Sequence, residues 1–159
     1  MPPPLVLVTG AAGTYGRILR TEWGDRYRLR LADVNEVDVA TAAANKVQWS
    51  IGTNGFAVCD GAAIPLAAHE EYVPLDSSDY TAMLAACQGV DTVIHLAADP
   101  RPNADFHGSL LGANVIGVYN AFEAAVEAGC RRVVFASSVH AMLGDGGREC
   151  APMLRRAGQ

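Results

Sequence analysis

Gly10, Gly13 and Gly16 recur at three-residue spacing directly behind the apolar run Leu5-Val6-Leu7-Val8. Residue types in this order suit phosphate chemistry. The first N–H groups of a helix have no partner inside it, and with the positive end of the helix dipole they hold anions. Glycine at position 10 permits a tight turn, at 13 it leaves the backbone open to a pyrophosphate, and at 16 it lets the following helix approach the strand. The spacing alone is also what a glycine-rich loop shows in a chain with 16 glycines. Asp33 sharpens the reading. It closes the run Tyr27-Arg28-Leu29-Arg30-Leu31-Ala32-Asp33, about 20 residues past the turn, where an acid takes the adenosine ribose hydroxyls of a dinucleotide.

Elements of alternating type must carry these residues. A continuous apolar strand at 5–8 is expected to be central and covered on both faces. A helix at 14–22, with Ile18 and Leu19 toward the sheet, stops near Gly24. The second strand ends at Asp33, and its alternation of Arg28 and Arg30 with Leu29 and Leu31 implies one partly wet face. The third strand, 71–76, is placed at an edge by Pro74, which has no N–H to give a ladder. Ser77 or Ser78 is expected to cap a helix that carries Met83 and Leu84 and ends at Gly89. A fourth strand at 92–96 leads to a polar loop, 99–109, containing Asp99, Arg101, Asp105 and His107, read as a solvated loop. A helix at 113–128 follows, apolar at Val115, Val118, Phe122, Ala125 and Val126 and closed by Gly129, and then a fifth strand at 132–137. Strand and helix alternating in this way predict the α/β class, a doubly wound parallel sheet (Rossmann-type) of about five strands with right-handed crossovers. Ligands then belong at the carboxyl ends of the strands. His95 is read as a packed strand residue, with no partner acid or metal-ligand spacing beside it.

The 159 residues suffice for one domain with a core, and half are apolar. A formal charge of −5 without a basic cluster argues against nucleic acid as a partner. No apolar run reaches the length of a membrane span, and the start Met1-Pro2-Pro3-Pro4 has no charged leader region, so a soluble cytoplasmic protein is expected. Cys59, Cys87, Cys130 and Cys150 have no metal-ligand spacing; they are expected to be buried or incidental thiols, and no metal is expected. The stretch 35–69 is too long for an ordinary connection, and only Val37, Thr41, Ala44 and Val47 fall at helical spacing. The expected organisation is a domain over 1–143 with an irregular insertion at about 37–63, then an atypical tail at 144–159.

Taken together, the T-G-A-A-G-T-Y-G turn, Asp33, Asp76, His95-Leu96-Ala97-Ala98, Asn114 within A-N-V-I-G, and Ala136-Ser137-Ser138 resemble the extended short-chain dehydrogenases, the NAD-dependent epimerase/dehydratase group. Within it, H-L-A-A-D-P, N-V-I-G-V-Y-N-A-F-E-A-A and F-A-S-S-V-H look most like uronate dehydrogenases, which oxidise the anomeric carbon of a sugar acid to a lactone. The resemblance implies NAD as cofactor, a sugar or sugar acid as substrate, and a homo-oligomer in a full-length form. It implies that Gly10, Gly13 and Gly16, with the Thr14 and Tyr15 backbone, hold the pyrophosphate, and that Asp33 holds the ribose. Asp76 and Ser77 would face the adenine, Leu96, Ala97 and Ala98 the cofactor's middle, and Asn114 would belong to the cofactor site. Ser138 matches the family's catalytic serine, and Ser137 and His140 would lie in the substrate pocket. Asp33 favours NAD over NADP because it repels a 2′-phosphate, with Arg17 nearby as the opposing charge.

Two departures from the resemblance stand out. Val139 follows Ser138 where the subfamily usually has Asn-His, and the sequence has no Tyr after Tyr119 and no Lys after Lys46, so the family's Tyr-x-x-x-Lys base is not matched. Three readings follow. The chain is the cofactor half of a sugar or sugar-acid oxidoreductase or a related epimerase or dehydratase, or a catalytically silent NAD-binding module, or an incomplete product of a longer gene. In the last reading 37–63 is a retained intron, and the tail follows a misread splice junction.

Overall fold

The strand Leu5–Thr9 (β1) is buried along its whole length, because it is paired on both sides and covered on both faces. The computed structural model describes residues 3–34, 49–51, 57–59, 66–101 and 103–138, of which 49–51 and 57–59 are described in backbone only. β1 is followed by α1 (Thr14–Trp23) and β2 (Arg28–Asp33). Trp49–Ile51 (β3) and Ala57–Cys59 (β4) pair with each other, antiparallel and apart from the main sheet. Next come β5 (Glu70–Pro74), α2 (Tyr80–Cys87) and β6 (Thr92–His95). A wide-turned π-helical segment, Phe106–Ile116, runs into α3 (Gly117–Glu127), and β7 (Arg132–Phe135) ends the sheet.

All pairings in the main sheet are parallel, in the order β5-β2-β1-β6-β7. The chain winds one way from β1 to β5 and the other way from β6 to β7, so the direction reverses between β1 and β6. In sheets of this kind such a reversal is where the carboxyl ends of the strands receive a ligand. Alternate residues of the strands feed two cores. Val6, Val8, Leu29, Leu31 and Ile94 meet Leu19 and Trp23 of α1, while Leu5, Leu7 and Val93 meet Met83 of α2 and Ala121 and Ala124 of α3.

Several expectations need correction. Asp79, not Ser77 or Ser78, caps α2, its carboxylate accepting from the Ala82 N–H at 3.0 Å. Both serines are engaged elsewhere: Ser78 donates through its backbone N–H and hydroxyl to Asp76, and the Ser77 side chain is buried against Gly117. The helical region before β7 begins at Phe106 rather than near residue 113, because Asp105 caps it and accepts from the Gly108 N–H. The apolar stripe expected inside is mostly outside. Val115, Phe122 and Val126 are exposed, whereas Gly117, Asn120, Ala121, Ala124 and Ala125 are buried. Small residues win this face because they let α3 approach α2 and the sheet closely, and a larger side chain at Gly117 would strike Ser77.

On α1 the fully buried side chain is Arg20, with Leu19 half-buried beside it; Arg20 reaches Glu70 through two bonds of 2.9 and 2.7 Å. The partly wet face of β2 is present: Arg28 is exposed, while Arg30 bonds Glu71 and the carbonyls of Ala86 and Gln88. β5 lies at an edge. The helix expected around Val37 to Val47, most of the insertion, and the tail from residue 139 lie outside the described residues.

Candidate dinucleotide-binding site

Gly10 ends β1 with φ of 70°, a conformation that excludes most side chains. A Cβ there would also lie 2.8 Å from the Ala97 nitrogen and the Leu96 carbonyl carbon, so the turn and the end of β6 touch through backbone. At Gly16 a Cβ would lie 2.5 Å from Ala11, which is how α1 comes down onto the turn. Gly13 is exposed, and a Cβ there would meet only the Gly10 carbonyl oxygen, at 3.2 Å. It is the N-cap of α1 and carries no capping side chain, so no N-cap side chain occupies the space in front of the helix.

Asp33 completes this turn from the next strand. Its Oδ2 accepts the Ala12 N–H at 2.9 Å, and its carbonyl accepts from the Tyr72 hydroxyl and the Leu75 N–H. The carboxylate is thereby fixed against the glycine turn. Asp76 is exposed at the end of β5, whereas Ser77 is buried beneath α3 with its carbonyl held by Asn120 Nδ2 at 2.9 Å. Of that pair, Asp76 alone presents its side chain to solvent.

Leu96, Ala97 and Ala98 leave β6 beside the glycine turn and are half-buried to exposed. Thr9 Oγ1 accepts the N–H groups of Leu96 and Ala97 at 3.2 and 3.3 Å. The same hydroxyl lies 2.8 Å from Nδ1 of His95, which is fully buried and stacked on Phe135. Burial pushes the His95 pKa down to about 4. Its Nε2 has no hydrogen-bond partner among the described residues, a deficit that typically costs about 1–3 kcal/mol.

Asn114, expected at the cofactor, uses its amide on the chain: Oδ1 accepts the Asp99 N–H at 2.8 Å and Nδ2 donates to the Asp99 carbonyl at 3.0 Å. The Asp99 carboxylate takes Arg101 and the Ser109 hydroxyl, and the hydrogen bonds from Arg101 and then Ser109 hold it well below the usual carboxylate range. The loop is solvated as expected, with Arg101, Asp105 and His107 exposed, and Asp99 is the residue tied down within it. The π-helical segment supplies Asn114 at the depth this clamp needs, and such wide turns recur where a helix must reorient a side chain. Ser137 and Ser138 are exposed just past β7, beside the end of β6. His140 lies outside the described residues, as does Val139.

The structure thus brings Gly10, Gly13, Gly16, Asp33 and Leu96 to Ala98 together at the carboxyl ends of β1, β2 and β6, with Ser137 and Ser138 at the end of the adjacent strand. Sequence reasoning read His95 correctly as a packed strand residue but missed Thr9 and the bond between the two. The signal available was a hydroxyl and an imidazole at the last positions of two strands that this topology makes neighbours. Cys87 and Cys130 pack in the α2–α3 core, Cys130 Sγ donating to the Cys87 carbonyl at 3.7 Å, and burial pushes the Cys87 thiol up to about 12. Among the described residues no cluster of acids, His or Cys suits a metal ion, and no helix is long and apolar enough to cross a membrane.

A parallel sheet whose reversal point carries a glycine turn, an unblocked helix start and an acid at the end of the second strand defines a dinucleotide-binding α/β domain. The sequence pattern of the NAD dependent epimerase/dehydratase family matches residues 6–155, and the chain belongs to that family. It is 36% identical over 137 residues to a NAD-dependent glucose-6-phosphate dehydrogenase of Haloferax volcanii, covering 86% of this chain and 44% of that one. It is 31% identical over 136 residues to a uronate dehydrogenase of Pseudomonas putida, covering 85% and 41%. The crystal structure of uronate dehydrogenase from Agrobacterium tumefaciens superposes with a TM-score of 0.64 at 33% identity, over 87% of this chain and 42% of that one. A mutant of that enzyme complexed with NAD gives 0.63, also at 33% identity, over 85% and 41%. The chain thus spans less than half the length of these relatives.

Proposed function

We propose that this chain is the NAD-binding portion of an oxidoreductase acting on a sugar or sugar acid. The observation that carries the reading is the Asp33 carboxylate bonded to the Ala12 N–H of the glycine turn. It sets an acid of the kind that takes a ribose beside a helix start of the kind that takes a pyrophosphate. Gly10, Gly13 and Gly16 with the Thr14 and Tyr15 N–H groups would take the pyrophosphate, Asp33 the adenosine ribose, and Asp76 the adenine edge. Ser77 contributes through backbone only. Leu96, Ala97 and Ala98 would underlie the middle of the dinucleotide, with Asn114 holding that turn in place through Asp99. Bound there, NAD supplies a hydride acceptor.

Ser138, by its place after β7 and its match to the family's serine, would hydrogen-bond a substrate hydroxyl, with Ser137 and His140 as neighbours in the substrate pocket. The relatives named for uronate and glucose 6-phosphate support a sugar or sugar acid as the substrate class. Titrating the purified chain with NAD and NADP tests the cofactor half. Tighter binding of NAD is the expected result, and absence of NAD binding, or tighter NADP, would sink it.

A further inference from the structure

The hydroxyl of Thr9 stands between the glycine turn and the end of β6. One oxygen accepts two N–H groups, from Leu96 and from Ala97. The Leu96 N–H is shared with the Thr9 carbonyl, which takes it at 3.2 Å, and the hydroxyl's own proton is left for Nδ1 of His95 at 2.8 Å. In that arrangement Thr9 donates, His95 accepts, and the neutral imidazole carries its proton on Nε2, which has no partner among the described residues. His95 cannot turn away from this role, being fully buried and stacked on Phe135. The turn it serves is tightly confined on the other side, since Gly10 approaches Ala97 and Leu96 too closely to allow even a methyl group between them.

We propose that Thr9 and His95 are a positioning pair for the cofactor: His95 orients the Thr9 hydroxyl, and the hydroxyl sets the height of the Leu96–Ala97 backbone under the middle of the dinucleotide. The proposal rests on the reading that NAD lies across this turn. It extends that reading to two residues that touch no ligand themselves. Without the His95 acceptor the Thr9 proton turns elsewhere and competes with the Ala97 N–H for the hydroxyl, while the Leu96 N–H keeps the Thr9 carbonyl, so the turn shifts at Ala97 toward the space the pyrophosphate and the second ribose need. The adenosine end, held by Asp33 on the far side of the glycine turn, does not feel the change.

The test compares NAD with adenosine, each titrated into the 159-residue chain and its variants. Thr9→Val, which keeps the shape and removes the hydroxyl, is expected to weaken NAD about five- to tenfold and adenosine less than twofold. Thr9→Ser restores NAD affinity. His95→Leu behaves like Thr9→Val, and His95→Asn, whose side-chain oxygen sits where Nδ1 does, retains NAD affinity within about twofold. Equal losses for NAD and adenosine, or a His95→Asn variant no better than His95→Leu, overturn the pair. If the unvaried chain binds no NAD, the reading beneath the proposal fails instead. Nitrogen NMR of the unvaried chain needs no substitution: a His95 imidazole protonated on Nε2 is expected, and one protonated on Nδ1 refutes the bond direction, whatever the variants do.

Discussion

At the residue scale, Asp33 is held by the chain as well as offered to a ligand. Its bond from Ala12 means that Asp33→Ala both removes the ribose acceptor and releases the glycine turn. The variant is expected to weaken NAD at least tenfold, about the 1.4 kcal/mol that one charge-assisted bond supplies, and to narrow the gap between NAD and NADP. Parallel titrations with both nucleotides read this out; an unchanged preference would show that Asp33 does not face the ribose. His95 gives a pH signature. Its folded value of about 4 lies below the ordinary 6.5, so between those limits the unfolded chain binds a proton that the folded chain excludes. Stability is therefore fully present above about pH 6.5 and falls as pH drops toward 4, with a slope approaching about 1.4 kcal/mol per pH unit from this group. Urea denaturation midpoints between pH 4 and 7 measure the slope, and His95→Asn is expected to flatten it.

At the element scale, α1 is tied to the start of β5 by the Arg20–Glu70 pair, whose side chains are only 3% and 4% exposed. Glu70 feels burial, which raises its pKa, but hydrogen bonds from Arg20 and the Ala67 N–H and the charges of Arg20 and His69 outweigh it, and the net direction is down. The pair's contribution is thus present above the ordinary carboxylate range and lost as pH falls through the lowered folded value. Glu70→Ala leaves a buried guanidinium without its carboxylate and is expected to cost about 3–5 kcal/mol by chemical denaturation. A loss under about 1 kcal/mol would mean that water reaches the pair. Also at this scale, α3 turns its small residues inward and leaves Tyr119, Phe122 and Val126 exposed, as the segment before it leaves Val115. Helical periodicity located a stripe, but which stripe faces the sheet was decided by how close α2 comes.

At the scale of the whole molecule, two predictions concern what the chain does as it stands. The 159-residue chain is expected to produce no NADH above background from galacturonate or glucuronate. A positioned general base typically supplies about 10²- to 10⁴-fold, and neither the tyrosine nor the lysine of the family's base is in the sequence. Robust NADH formation by the purified chain would contradict this. The second concerns residues 37–63, which we propose are not native to the fold. Deleting them joins Asn35-Glu36 to Ile64-Pro65 and leaves a connection of ordinary length between β2 and β5. Undiminished NAD affinity and solubility are expected; loss of either would show that the segment belongs to the domain, as a long surface loop with modest entropic cost can.

The sequence by itself determined the alternation of strands and helices, the parallel sheet and the place of the glycine turn. These are written in local patterns: a four-residue apolar run, glycines at fixed offsets and an acid at the end of the second strand. It also placed β5 at the edge, because Pro74 lacks an N–H. It did not determine which side-chain oxygen caps α2, because Ser77, Ser78 and Asp79 are all capping residues, and only the contacts of Gly117 and Asp76 leave the Asp79 carboxylate for the task. It did not determine that Asn114 holds the Asp99 backbone, since that needs the wide turn of the helix before α3. Least legible was the link from Thr9 to His95, 86 positions apart in the chain. Only the parallel pairing of β1 with β6 sets a hydroxyl beside an imidazole, and only burial there keeps water away and holds the two against each other.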